Sequence, residues 1–77
     1  MTFEQILLGI LIRRIRLTPR WYVKNGINEE CQEHLIQMLK SAKKDKQRAT
    51  AYIHHYYELT KRDPTNDFKQ ARKKASS

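Results

Sequence analysis

The side chains that could carry catalysis or bind a metal are few. His54 and Glu58 are four residues apart, which places them on one face of a helix, with His55 beside them. Two ligands are too few for a zinc site, and the zinc-protease pattern needs two histidines four residues apart around a glutamate. We therefore expect His54 and Glu58 to pair at the surface. His34 is too distant in sequence to join them.

The remaining reactive residues indicate no active site either. Cys31 is the only cysteine, so an intrachain disulfide and a cysteine-based zinc cage are excluded. Its place among apolar residues is typical of a small buried side chain. Gly9 and Gly26 are too far apart to build a phosphate-binding loop, and no paired carboxylates sit near a basic partner in a way that suggests acid–base chemistry. The sequence predicts no enzyme, no cofactor and no metal.

The basic residues are the strongest chemical signal. There are 16 lysines and arginines against 8 acids, for a net charge of +8 over 77 residues. Residues 1–24, 40–48 and 69–77 each sum to +4, whereas 25–39 sum to −3 and 49–68 to −1. Three cationic blocks separated by acidic or nearly neutral stretches predict a surface with basic ridges.

These ridges suit a polyphosphate, because each phosphate that a cation neutralises releases condensed counterions. We expect a non-enzymatic nucleic-acid-binding regulator or accessory factor that contacts the phosphate backbone of DNA or RNA. A solvated helix face that keeps the protein soluble is the simpler alternative. The expected first contacts are Lys40, Lys43, Lys44 and Arg48, supported by Arg13, Arg14, Arg16, Lys69, Arg72, Lys73 and Lys74.

A protein-interaction module is a second interpretation. An inhibitor or adaptor could dock on a larger acidic protein through its apolar first helix and a tyrosine-rich edge, since tyrosine is enriched at interface hot spots. That edge consists of Tyr52, Tyr56, Tyr57 and Leu59.

Membrane insertion is not expected. The longest apolar run, Ile6 to Ile12, is far shorter than the ~20 residues of a membrane span, and Glu4 precedes it where a signal peptide would carry positive charge. Binding of the first helix flat on a bilayer is a less favoured third interpretation. We expect a soluble, cytoplasmic protein.

The N-terminal elements follow from capping and proline signals. Thr2 and Gln5 form a capping box, which predicts a helix over roughly 3–16 that ends before Pro19. The branched residues of 10–17 leave a β-strand paired with 21–23 as an alternative. Residues 18–28 are expected to form a connector from which Trp21 and Val23 pack inward.

Residues 29–62 contain no glycine or proline and begin after Asn28, a favourable N-cap residue. One apolar stripe keeps its helical phase from Cys31 to Tyr57, which favours a single long helix bent near Asp45. A break at 43–46 is the alternative, in which Gln47 to Tyr57 would be the recognition helix of a helix-turn-helix. That arrangement would expose Lys46, Gln47, Arg48, Thr50 and Ala51.

The C-terminal part is expected to hold a short helix over 65–74 after Asp63-Pro64, with 72–77 as a frayed basic tail. The whole prediction is one all-α domain, 1–77, of about three helices. A chain of this size hides only ~60% of the surface that its unfolded form exposes. We therefore expect the bundle to be completed by dimerisation or by a larger assembly.

Overall fold

The computed structural model describes residues 1–76, in which every regular element is helical and no strand occurs. The all-α prediction is confirmed, but five α-helices and one 3-10 turn replace the three helices expected. They are α1 (Phe3–Leu17), α2 (Pro19–Lys24), α3 (Glu29–Ser41), the 3-10 turn (Ala42–Lys44), α4 (Lys46–Thr60) and α5 (Thr65–Ser76).

Helix α1 begins at the predicted capping box. Thr2 Oγ1 accepts a hydrogen bond from the Gln5 N–H at 3.2 Å, and Gln5 Oε1 accepts from the Thr2 N–H at 3.1 Å. These bonds satisfy two amide groups that a helix N-terminus otherwise leaves unpaired. The strand alternative for 10–17 is therefore wrong. The side chains that α1 buries at the centre of the fold are Leu7, Leu8, Leu11, Ile12 and Ile15.

The connector after α1 contains helix α2, where no helix was expected from the sequence. Pro19 occupies its first turn, where a missing N–H costs nothing. Tyr22 is fully buried, whereas Val23, expected to pack inward, is 53% exposed. The turn that follows uses Gly26 at φ +87°, a conformation that suits glycine because it has no Cβ.

The single long helix predicted for 29–62 is wrong, and the break at 43–46 is observed. Asp45 has extended backbone angles and caps α4, since its carboxylate accepts hydrogen bonds from the N–H groups of Gln47 and Arg48. An aspartate that bonds nearby amides competes with a continuous helix. Gln5 Nε2 also donates to the Lys43 carbonyl at 3.3 Å, which ties the turn to α1.

The break gives α3 and α4 separate buried faces, so the continuous stripe holds only in part. Leu35, Leu39 and Ile53 are buried as expected, but Cys31 is exposed. Gln32 is buried in its place, and its Nε2 donates to the carbonyls of Pro19 and Ile27, both at 3.1 Å.

Helix α5 runs to Ser76, so the predicted frayed tail is wrong for residues 72–76; Ser77 lies outside the described residues. Ala71 is fully buried, and the Phe68 ring packs edge-on against Phe3 and Tyr57 at centroid distances of 5.6 and 5.8 Å. These contacts fasten α5 along α1. One copy thus closes a core without a second chain, and dimerisation stays a prediction.

Candidate nucleic-acid interface

The end of α3, the 3-10 turn and the first turn of α4 form a corner of the molecule that is rich in cations. We call this surface the basic corner. All its cations are exposed. The side chains that this stretch buries are Ala42 in the 3-10 turn and Ala49 in the first turn of α4. The cations are Lys40, Lys43, Lys44, Lys46 and Arg48.

No cation of the basic corner forms an ion pair with a carboxylate of the described residues. Within residues 1–76 the ion pairs are Arg14 with Asp67 and His54 with Glu58, and neither includes a corner residue. Asp45 lies inside the corner, but its carboxylate caps the backbone of α4. The cations therefore present their charge to solvent.

Cations from all three basic blocks of the sequence meet beside this corner. A groove of about 470 Å³ is lined by Arg13 from α1, Lys43 from the 3-10 turn and Lys74 from α5. Its apolar floor includes Ile6 and Ile10. Packing of α5 along α1 makes this convergence possible, since the three cations are separated by 30 and 31 residues in sequence.

A second groove continues the positive surface around the N-terminus of α1. It is lined by Lys43, Lys44 and Lys46, together with one acid, Glu4. Lys46 received no role under the single-helix prediction, and only the helix-turn-helix alternative exposed it. Asp45 as an N-cap residue was the signal for the break that exposes Lys46.

Arg14 does not belong to this surface, which corrects its assignment as a phosphate contact. Its Nη1 lies 2.6 Å from Asp67 Oδ2, and its side chain is only 22% exposed. Burial lowers the pKa of Arg14, but the hydrogen bond and the charge of Asp67 more than offset this, so the pKa lies above its ordinary value. Arg14 is a structural cation.

The other predicted phosphate contacts are exposed, but not all of them lie beside the basic corner. Arg16 lies in the last turn of α1 and lines neither groove. Lys69, Arg72 and Lys73 are exposed on helix α5, and not on a frayed tail as predicted.

The tyrosine-rich edge proposed as a protein interface is mostly internal, which is a second correction. Tyr56 is fully buried, and its hydroxyl lies 2.7 Å from that of Tyr22. Tyr57 is half-buried and donates to Asp67 Oδ2 at 2.7 Å. Burial is the main cause that raises the pKa of all three phenols. Tyr52 is half-buried and Leu59 is 44% exposed, so they offer only a narrow surface.

The residues first considered for catalysis lie on the surface, and the expected pairing of His54 with Glu58 is confirmed. His54 Nδ1 lies 4.0 Å from Glu58 Oε1, and both side chains are well exposed. Over residues 1–76, no three histidine, cysteine, aspartate or glutamate side chains come close enough together to hold a metal ion. No helix in this part of the chain has the length and apolarity needed to cross a membrane.

Fold and surface together define a small all-helical protein with one strongly basic corner. Comparisons of the chain with protein-family models, with curated proteins and with solved structures find no match.

Proposed function

We propose that this chain is a cytoplasmic, non-enzymatic protein that binds nucleic acid through the basic corner and acts as a regulator or accessory factor. The observation that carries the proposal is the grouping of five exposed cations without a carboxylate partner in residues 1–76. Arg13 and Lys74 extend the same positive surface, because they share a groove with Lys43.

The physical basis is electrostatic. Cations that neutralise Z phosphates on a duplex release counterions, so the logarithm of the binding constant falls with the logarithm of salt at a slope of about −0.9Z. The folded backbone also fixes the positions from which these lysine and arginine side chains extend. The mechanism therefore requires no catalysis.

Salt titration of binding tests the proposal. Fluorescence anisotropy with a labelled duplex should show affinity falling by ~10³-fold or more between ~50 and ~200 mM salt if six or more phosphates are held. A flat response would contradict phosphate binding.

Charge reversal locates the surface. Lys43→Glu combined with Lys44→Glu should remove binding, because the change places two carboxylates in the centre of the corner. Arg20→Glu combined with Lys24→Glu is the matched control, with the same change in net charge on exposed positions of α2. Equal losses in both variants would mean that only the total charge matters.

Association of two copies belongs to the same proposal. Dimeric helix-turn-helix proteins place their two reading elements about one helical turn of the duplex apart. The exposed apolar side chains available for such a contact include Leu17, at 67% exposure, and Val23, at 53%. Light scattering after size exclusion measures the mass directly, and a monomer at the concentrations that saturate the duplex would reject this part of the proposal.

A protein-interaction module is the second candidate, favoured by the groove along α1. A Cβ added at Gly9 would meet no other heavy atom within 4 Å, so the groove is open between Ile6 and Ile10. An acidic amphipathic helix would fit an apolar floor with Arg13 on its rim. Under this candidate, Gly9→Leu abolishes partner binding, whereas charge reversal of Lys46 and Arg48, which do not line this groove, leaves partner binding intact and removes duplex binding.

A further inference from the structure

The connection between α3 and α4 has the dimensions of a DNA-reading element. Four residues, 42–45, join a helix of 13 residues to one of 15. Helix-turn-helix motifs join two helices by a turn of three or four residues and place the second helix in the major groove. Both helices are anchored here, since Leu39 at the end of α3 and Ala49 at the start of α4 are buried.

Near its N-terminus, the exposed face of α4 carries small or polar side chains. The helix buries Ala49, Ile53 and Tyr56, so at 100° per residue Gln47 and Ala51 lie on the opposite side. Thr50 lies beside them, and all three are exposed. The side chain of Ala51 is a single methyl group, so the helix backbone can approach a ligand closely at this point.

These side chains match the edges of base pairs in a major groove. A glutamine can make two hydrogen bonds to adenine, a threonine can bond to several bases, and an alanine methyl can contact the thymine methyl group. Lys46 and Arg48 are on the same turn of helix as Gln47, where they can hold the phosphates that border the groove.

The charges along α3 favour contact at the basic corner. The three acids of α3, Glu29, Glu30 and Glu33, are in its first two turns, and Glu58 is near the end of α4. At 1.5 Å per residue, Glu29 is about 16 Å from Lys40 along the helix axis. A polyanion is therefore attracted to the corner and repelled from the first two turns of α3. The far end of α4 is close to neutral, because Lys61 and Arg62 follow Glu58 and precede Asp63.

The aromatic residues argue against single-stranded ligands. Proteins that bind single strands stack bases on exposed aromatic rings. All seven aromatic residues of this chain are buried or half-buried, and Arg62 covers the Trp21 ring at 4.5 Å from its centroid. A-form RNA is also unsuited, because its major groove is too deep and narrow for side chains to read.

We infer that the ligand of the basic corner is B-form duplex DNA, with the N-terminal half of α4 in the major groove and Gln47, Thr50 and Ala51 facing the base edges. This inference rests on the proposed function and names its substrate class. Lys43, Lys44, Lys46 and Arg48 then contact phosphates on the two sides of the groove.

A comparison of three labelled probes of equal length tests the inference. At one salt concentration, a DNA duplex should bind at least ~10-fold more tightly than an RNA duplex or a single DNA strand. Equal affinity for all three, with steep salt dependence, would overturn the inference and leave the proposed function standing. Absence of binding to every probe would reject both. Tighter binding to a single strand would also overturn the inference.

Substitutions on α4 provide an independent test. Ala51→Leu fills the centre of the reading face and should remove the preference for duplex DNA, and circular dichroism should show an unchanged helical fold. Gln37→Leu is the matched control, because Gln37 is exposed on α3 outside the corner. Selection from a random duplex pool should enrich a motif that Gln47→Ala relaxes at one position by ~10-fold. An unchanged preference in Ala51→Leu, or a pool without enrichment, would overturn groove reading.

Discussion

Arg14 Nη1 lies 2.6 Å from Asp67 Oδ2, and this ion pair joins the first helix to the last across 53 residues of sequence. The same carboxylate oxygen accepts a hydrogen bond from the Tyr57 hydroxyl at 2.7 Å. Arg13, the preceding residue, is exposed and lines the groove beside the basic corner. Successive helical residues point in directions about 100° apart. Arg14 therefore faces Asp67 and supports the fold, whereas Arg13 faces solvent.

Arg14→Ala should destabilise the fold by about 2 kcal/mol, because it leaves a buried carboxylate with one hydrogen-bond donor fewer. Denaturant unfolding followed by circular dichroism measures the loss. Arg13→Ala is the control and should change the free energy of unfolding by less than about 0.5 kcal/mol, as is usual for exposed positions. Similar losses in the two variants would contradict the separate roles of the arginines.

The buried hydroxyl pair of Tyr22 and Tyr56 should behave as a coupled unit. Tyr22→Phe or Tyr56→Phe leaves one buried hydroxyl without its partner, at a cost of about 1–3 kcal/mol. The double variant removes both hydroxyls and should be more stable than the sum of the single losses predicts. Strict additivity in this double-mutant cycle would mean that the hydrogen bond contributes nothing.

Stability should fall at alkaline pH. Burial raises the folded-state pKa of Tyr22, Tyr56 and Tyr57 above the ordinary value of about 10. Above that pH the unfolded chain has lost phenolic protons that the folded chain retains, so the free energy of unfolding decreases with pH by up to about 1.4 kcal/mol per unit for each phenol. Thermal unfolding should be monitored between about pH 8 and 12. The midpoint temperature should be constant below pH ~10 and should decline above it. A midpoint that rises in the alkaline range would contradict the burial of these phenols.

Asp45 should influence stability and DNA affinity in opposite directions. Asp45→Ala removes the cap of α4 and should cost about 1 kcal/mol, whereas Asp45→Asn retains a capping side chain and should cost much less. Both variants remove one negative charge from the basic corner and should therefore tighten binding to a duplex. Unfolding curves and anisotropy titrations on the same samples separate the two effects. Weaker binding by Asp45→Asn would show that the carboxylate assists recognition.

Much of the local structure could be read from short-range signals. The capping box of Thr2 and Gln5, the N-cap at Asn28 and the end of the first helix before Pro19 depend on neighbours within a few residues, and all three are observed. The three basic blocks are likewise visible in the order of the residues. Such features are predictable because their energetics are local.

The partners that meet across the fold were not predictable, because each depends on how the helices pack. Helical spacing places Arg14 on the same face as Leu7 and Leu11, but nothing local indicates that its partner is Asp67, 53 residues away. The phase of an apolar stripe cannot show whether Asp45 continues one helix or caps a second. The outcome depends on whether Ala42 and Ala49 can both be buried against other helices, as they are here. Packing of α5 on α1 brings Arg13, Lys43 and Lys74 to one groove, and this nonlocal free energy decides which cations share a surface.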